Sequence, residues 1–423
     1  MKKLLALVLA VLMIASILAA CGGGGGTTTS GSGDTGSGAD LSDLGGENNI
    51  SLLVWAPEAA VALTTEMCNE FKSQYPDKTI TIDVKPMEEG EVKGQILNDP
   101  SVAADVFSFA CDQLLDLDKA KVLTPLDDYV EAVNGRDAKP AVEAATYNGT
   151  LLAFPETGEN GYYLAYDKSV ISDEDAKTFE GVLEACRKAG KKFNMDGGNG
   201  FYSCMFPFTG GLEITGVVDG VQQFNDYDEE KVVDSIEAFY NLFHEYSDVF
   251  QSDNVDKTGS GMATGAVAAG IDGAWNAATV GKALGDNYGA AKLPTINIKG
   301  TDTQVVSMNG YKFIGVNDLS QFPYTAAALG NYLADEACQL KRAEQLSWSP
   351  SNTTVQQSDV ISKNLGSLAC LEQANYSLPQ VLSNTKFYGP MGTLGNYIIK
   401  NDGLSREDIK AEFDKAIDNI KDE

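Results

Sequence analysis

The side chains able to do chemistry are unevenly stocked in this 423-residue sequence: one histidine, seven cysteines, 31 basic residues and 60 acidic ones. The single histidine, His244, lies in the charged helical stretch 236–250. It cannot build a zinc site of the usual type, and a Ser-His-Asp or Cys-His arrangement in the loops has no base to use. None of the cysteines forms a C-x-x-C pair or a Cys/His cluster. Six of them, Cys68, Cys111, Cys186, Cys204, Cys338 and Cys370, read as small buried hydrophobes whose pairing, if any, the sequence does not choose. Gly31-Ser32-Gly33-Asp34-Thr35-Gly36 matches a dinucleotide-binding fingerprint in form, yet no strand precedes it and no helix follows, so a nucleotide site is disfavoured. With so many carboxylates, a pair flanking a glycosidic bond is not excluded by counting.

The elements that must position any functional side chain begin at Asn49. Residues 50–56 form an apolar run suited to a buried strand, and Ala60, Leu63, Met67 and Phe71 recur at helical spacing up to Pro76. Residues 79–85 alternate as a half-buried strand, and 105–109 form a third. A doubly wound start of this kind places ligands beyond the carboxyl ends of its strands. Residues 55–58, ending in Glu58, and 109–113, carrying Phe109 and Asp112, are therefore candidate binding loops. Residues 147–150 make a turn, after which the chain changes lobe. A second α/β region follows, with helices expected over 173–189 and 229–246 and a strand over 267–271 leading to Trp275. Extended chain is expected over 305–316 with Gly310 in its middle, then mostly helix to a closing amphipathic segment over 407–420.

The N-terminus carries an address. Lys2-Lys3, an apolar run over 4–18 and Leu18-Ala19-Ala20-Cys21 read as a secretory signal. The last four residues resemble a bacterial lipobox, in which Cys21 is acylated and becomes the new N-terminus. Two or more acyl chains suffice for stable anchoring. Residues 22–47, rich in Gly, Ser and Thr, read as a flexible tether. About 25 such residues span roughly 25–30 Å as a random coil.

The remaining length exceeds what a single core usually serves, so two lobes are expected. Apolar side chains make up 43% of the chain and charged ones 22%, a globular balance. The formal charge is −29, and loss of Lys2 and Lys3 with the signal makes it −31. Nucleic acid is thereby disfavoured as a partner, while neutral or cationic ligands are compatible.

Several blocks together carry a resemblance that spans the mature chain: Ser51-Leu52-Leu53-Val54-Trp55; Asp105-Val106-Phe107-Ser108-Phe109 with Asp112; Tyr147-Asn148-Gly149 through Phe154-Pro155; Tyr163-Leu164-Ala165-Tyr166-Asp167-Lys168; and Gly270-Ile271-Asp272-Gly273-Ala274-Trp275. In order and spacing they resemble family 1 extracellular solute-binding lipoproteins, the maltose and maltooligosaccharide-binding members above all. The resemblance implies an α/β, two-lobed fold of the periplasmic-binding-protein type (type II), with ligand in a cleft that closes about a hinge. The crossing segments would fall near 157–160, 308–313 and 359–362. One lobe would hold 48–158 plus 308–360, the other 159–307 plus 361–423.

By the same resemblance Trp275 is a stacking platform, with a buried core tryptophan as its alternative. Asp112 accepts ring hydroxyls, with a helix N-cap as its alternative. Phe109 occupies an aromatic position that a core residue could equally fill. Glu159 and Asn160 share the place of an acidic residue, a one-residue insertion leaving the choice open. Tyr202 is the favoured contact of the segment containing Phe201 and Phe206, Tyr388 stands near a late aromatic, and Trp348, read as exposed, lines the cleft rim. Gln113 stands where maltose-binding relatives often carry Arg. No catalytic residue, metal or cofactor is implied. The implied role is capture of an oligosaccharide, best a maltooligosaccharide or other α-glucan, by a monomer. It would be lipid-anchored at the cell membrane, face outward and deliver its ligand to the permease subunits of an ABC importer. The alternatives are another solute in the same fold (a different oligosaccharide, a peptide or an amine), a surface glycoside hydrolase, or an adhesin or scaffold lipoprotein.

Overall fold

The computed structural model describes residues 43–158 and 160–421. The signal, Cys21, most of the expected tether and Glu159 lie outside the described residues. The last residues assigned to the tether belong to the folded body instead. Leu44 is buried in the first core, and the Glu47 carboxylate accepts hydrogen bonds from the Thr325 hydroxyl (2.6 Å) and the Thr325 N–H (3.0 Å). A leucine and an acceptor placed over the start of the helix Pro323–Leu333 give the segment contacts that composition alone does not reveal.

Two five-stranded sheets organise the chain, each with its own core. The first has the order Ile80–Pro86, Ile50–Ala56, Val106–Ala110, Lys312–Val316, Phe154–Pro155. Its first three strands are parallel, and Lys312–Val316 runs antiparallel with Phe313 opposite Phe109. Ile80–Pro86 is the edge strand, which is why its sequence alternates, Ile80, Ile82 and Val84 turned inward and Thr81, Asp83 and Lys85 exposed. The second sheet has the order Phe250–Gln251, Lys192–Asn194, Val267–Gly273, Tyr162–Asp167, Tyr288–Ala291.

Local chemistry fixes the element ends. Asp228 accepts a hydrogen bond from Lys231 N–H and caps Glu229–Glu245, whose Val232, Ile236, Phe239 and Phe243 bury one stripe. The helix expected over 173–189 begins later, as Phe179–Ala189, because Ser172 and Asp175 bond to each other in a preceding turn and Thr178 supplies the cap. Asn148 (φ 51°) and Gly149 (φ 85°) both take the left-handed conformation that a two-residue hairpin turn requires.

The chain passes between the sheets at three places. It leaves the first at Phe154–Pro155 and enters the second at Tyr162–Asp167. The extended stretch expected over 305–316 is two strands rather than one: Ser307–Asn309 pairs in parallel with Ser377–Pro379, and Lys312–Val316 joins the first sheet. Gly310 separates them, and a Cβ there would lie 2.1 Å from Gln380 Oε1 and 2.8 Å from Cys111 Sγ. The third passage leads from Glu336–Leu346, on the first core, to Leu365–Gln373, packed on the second sheet. Among the described residues no helix is long and apolar enough to cross a membrane.

Candidate functional site

A buried polar network forms where these passages meet. The strand Val106–Ala110 ends in the turn Cys111–Gln113, and Asp112 Oδ1 accepts a hydrogen bond from Gln380 Nε2 at 3.3 Å. Gln380 Oε1 accepts one from Asn160 Nδ2 at 2.9 Å. The same Nε2 donates to the Tyr388 hydroxyl at 3.2 Å, which lies 2.9 Å from Ser383 Oγ. One glutamine thus ties a strand end of the first sheet, the first crossing and the helix Tyr388–Lys400 together. Burial pushes the Asp112 carboxyl up to about 6, against the pull of hydrogen bonds from its own backbone and from Tyr388. Gln113 holds the neighbouring loop, donating to Glu89 O (2.7 Å) and accepting from Lys93 N–H (2.9 Å).

Beside this network two tryptophans converge on a lysine. Trp275 sits in the turn Ala274–Asn276 that ends the strand Val267–Gly273. The fully buried Asp272 shapes that turn, its Oδ1 accepting from Gly273 N–H (2.8 Å) and Asn276 Nδ2 (3.0 Å). Burial raises the Asp272 carboxyl to about 7. Residue 273 must be glycine, because a Cβ would come within 2.3 Å of the indole. Trp348 follows Ser347, whose left-handed backbone (φ 59°) ends the helix Glu336–Leu346. Lys312 Nζ lies 4.6 Å from the Trp348 ring centroid and 5.5 Å from that of Trp275, and pairs with Glu89 Oε1 at 2.8 Å. Both members of that ion pair are buried. The space left among Thr157, Ala274, Trp275, Lys312, Trp348 and Ser349 is about 10 Å³, room for one water at most.

A second buried ion pair lies under the first sheet. Arg342 pairs with Glu156 Oε1 at 3.1 Å, and Ser108 Oγ donates to the other oxygen of that carboxylate. Burial raises the Glu156 acid while the Arg342 charge opposes it. The guanidinium also donates to Leu333 O, anchoring the helix Pro323–Leu333 beside the strand end that leads to the first crossing.

A model of the family described as bacterial extracellular solute-binding protein matches residues 66–366. The chain belongs to that family. No curated protein sequence matches it. Among solved structures, the unliganded maltodextrin binding protein MalE1 from L. casei BL23 is 24% identical with a TM-score of 0.74, covering 88% of this chain and 99% of that one. The Thermus thermophilus maltotriose binding protein, bound with maltotriose, is 19% identical with a TM-score of 0.73, at 88% and 99% coverage. An extracellular solute-binding protein from Staphylococcus aureus in complex with maltose is 18% identical with a TM-score of 0.61, at 88% and 97% coverage. At these identities the likeness establishes the two-lobed α/β fold.

In this solute-binding protein Trp275, Asp112, Asn160, Tyr388 and Trp348 gather at the passages between the sheets. Trp348 is buried, only 5% exposed, where the sequence reads as an exposed rim, because Lys312 covers its face. Asp112 caps no helix, since its carboxylate turns to Gln380. Phe109 belongs to the core: fully buried, it packs edge-on against Phe313 and offers no free face. Tyr202 is buried against Tyr162, with a hydroxyl that has no hydrogen-bond partner. Glu58 is exposed on the turn Glu58–Ala60, outside the network. Glu159 lies outside the described residues. Lys312, Glu89 and Gln380 escaped the sequence reading. Lys312 left a signal, a lysine inside the apolar run 311–316; Gln380 left none.

Proposed function

We propose that this protein captures a carbohydrate, best a maltooligosaccharide, in the cleft between its two sheets and hands it to an ABC permease. The observation that carries the reading is the convergence on Lys312 of two tryptophans, Trp275 from a strand end of the second sheet and Trp348 from the third passage, beside the buried network of Asp112, Asn160, Gln380 and Tyr388. Flat aromatic faces suit the apolar faces of sugar rings, and buried charged or amide groups suit their hydroxyls. Support also comes from the relatives of like fold whose structures hold maltotriose or maltose. Trp275, Asp112, Asn160, Tyr388 and Trp348 are the proposed contacts, and Glu159, at the first crossing, joins them by position in sequence. The function is binding without covalent chemistry. Lipidation at Cys21, a place on the outer face of the cell membrane and a monomeric state complete the reading.

Calorimetric titration of the purified protein with maltotriose, cellotriose, xylotriose and a peptide mixture tests it. Saturable binding of maltotriose alone is expected. Silence with every sugar removes the carbohydrate assignment and leaves the family standing, and release of reducing ends from a bound oligosaccharide would replace capture with hydrolysis.

A further inference from the structure

The space between the two tryptophans is already filled, and what fills it is a cation. Lys312 Nζ stands over both indole rings, at 4.6 Å from Trp348 and 5.5 Å from Trp275, with the Glu89 carboxylate at 2.8 Å. Two aromatic faces and one buried carboxylate around an ammonium are the surroundings by which proteins recognise protonated or quaternary amines. The parts come from separate places in the chain: Lys312 from the first sheet, Glu89 from the loop before the helix Val92–Asn98, Trp348 from the third passage and Trp275 from the second sheet. About 10 Å³ of free space remains, so a ligand ring cannot settle between the indoles while the lysine stays.

We infer that this cleft holds a cation subsite, that Lys312 is its resident occupant in the empty protein, and that the ligand which displaces it is an oligosaccharide carrying a protonated amine. The choice between an amine-bearing and a neutral sugar follows from what each leaves behind. A neutral ring that drives Lys312 aside offers the buried Glu89 carboxylate hydroxyl hydrogen bonds but no opposing charge, so the ion pair is lost. An amine restores both the ion pair and the contact with the two ring faces, while Lys312 carries its charge out to water on a long flexible stem. The net charge of −29 favours the approach of a cation over that of an anion.

The inference rests on the carbohydrate reading, and one titration series separates the two. The purified protein is titrated at neutral pH with maltotriose, with maltotriose in which one hydroxyl is replaced by a primary amine, and with the N-acetylated form of that amine. The amine probe is expected to bind about ten-fold or more tighter than either neutral probe. Lys312→Met removes the competitor and should widen that ratio. Lys312→Met combined with Glu89→Gln, a neutral pair that avoids an unpaired buried carboxylate, should close it to about two-fold or less. The double variant also serves as the folding control, judged by its thermal midpoint. Equal affinity for the amine and neutral probes, or a preference that survives in the double variant, overturns the cation subsite and leaves carbohydrate capture in place. Failure of all three probes to bind takes away the carbohydrate reading and this inference with it.

Discussion

Trp275 is the proposed contact at which binding and folding should separate. It is partly exposed at the edge of the second core, and its ring meets Lys312 and Phe201. Trp275→Ala should weaken sugar binding by about 10- to 100-fold, the loss of one hot-spot side chain, while the thermal midpoint stays near that of the wild type. Unchanged affinity in calorimetry would remove it from the site. Asp272, three residues earlier, makes the opposite kind of prediction. Its acid is raised from 3.8 to about 7 by burial, so the folded state holds the proton more tightly than the unfolded chain does. Its contribution to stability is therefore full below about 4 and is lost as pH rises through about 7. Asp272→Asn keeps an oxygen for the Gly273 and Asn276 donors and removes the titration. Urea midpoints across this pH range should fall less steeply in the variant, which should be the more stable protein at pH 8. Parallel curves would show that the carboxyl does not titrate as its burial implies.

At the scale of elements the crossing at Gly310 is the sensitive joint. A methyl group there would meet Gln380 Oε1 at 2.1 Å and Cys111 Sγ at 2.8 Å, so the glutamine must leave its bonds to Asn160 and Asp112. Gly310→Ala should destabilise the protein by about 1–3 kcal/mol through overpacking and weaken ligand binding. Gln380→Ala in the same chain should recover part of the stability, a non-additive pair measurable as a double-mutant cycle. Full additivity would mean that Gln380 is not what the methyl displaces. The apolar run over 305–316 was legible as extended chain, and Gly310 stood out within it. That the halves join different partners, one pairing with Ser377–Pro379 and the other with Val106–Ala110, is set by contacts some 70 and 200 residues away, which no local pattern encodes.

At the scale of the whole molecule, the proposed seat between the two indoles requires Lys312 to move before a ligand enters. With Lys312 between the two indoles, about 10 Å³ is free among them, too little for a sugar ring at that spot. Binding then includes a conformational step, and stopped-flow tryptophan fluorescence should give a rate that levels off at high ligand concentration. A rate rising linearly throughout would mean that the cleft is open already. Equilibrium linkage adds a second readout: ligand at one hundred times its Kd should stabilise the protein by about 2.7 kcal/mol.

The sequence by itself determined what local patterning and composition can determine. Alternation marked the edge strand Ile80–Pro86, helical spacing marked Glu229–Glu245 and Arg406–Lys421, the lone histidine argued against His-based triads and the usual zinc sites, and the ordered blocks ending at Trp275 pointed to the family. Asp112 was singled out because loops after parallel strands are where such folds hold ligand, and Trp275 and Asn160 through the family resemblance; the fold places all three near the passages between the sheets. Tertiary structure alone decided which aromatics keep a usable face. Phe109 and Tyr202 look as promising as Trp275 in sequence, yet core packing seals them, and Trp348 is covered by a lysine 36 residues away in the chain. It alone also decided the partners of Lys312, Glu89 and Gln380. Burial of a charge or amide is tolerated only where another polar group arrives to meet it, and the groups that do so come from segments hundreds of residues apart that only the tertiary fold brings within hydrogen-bond reach.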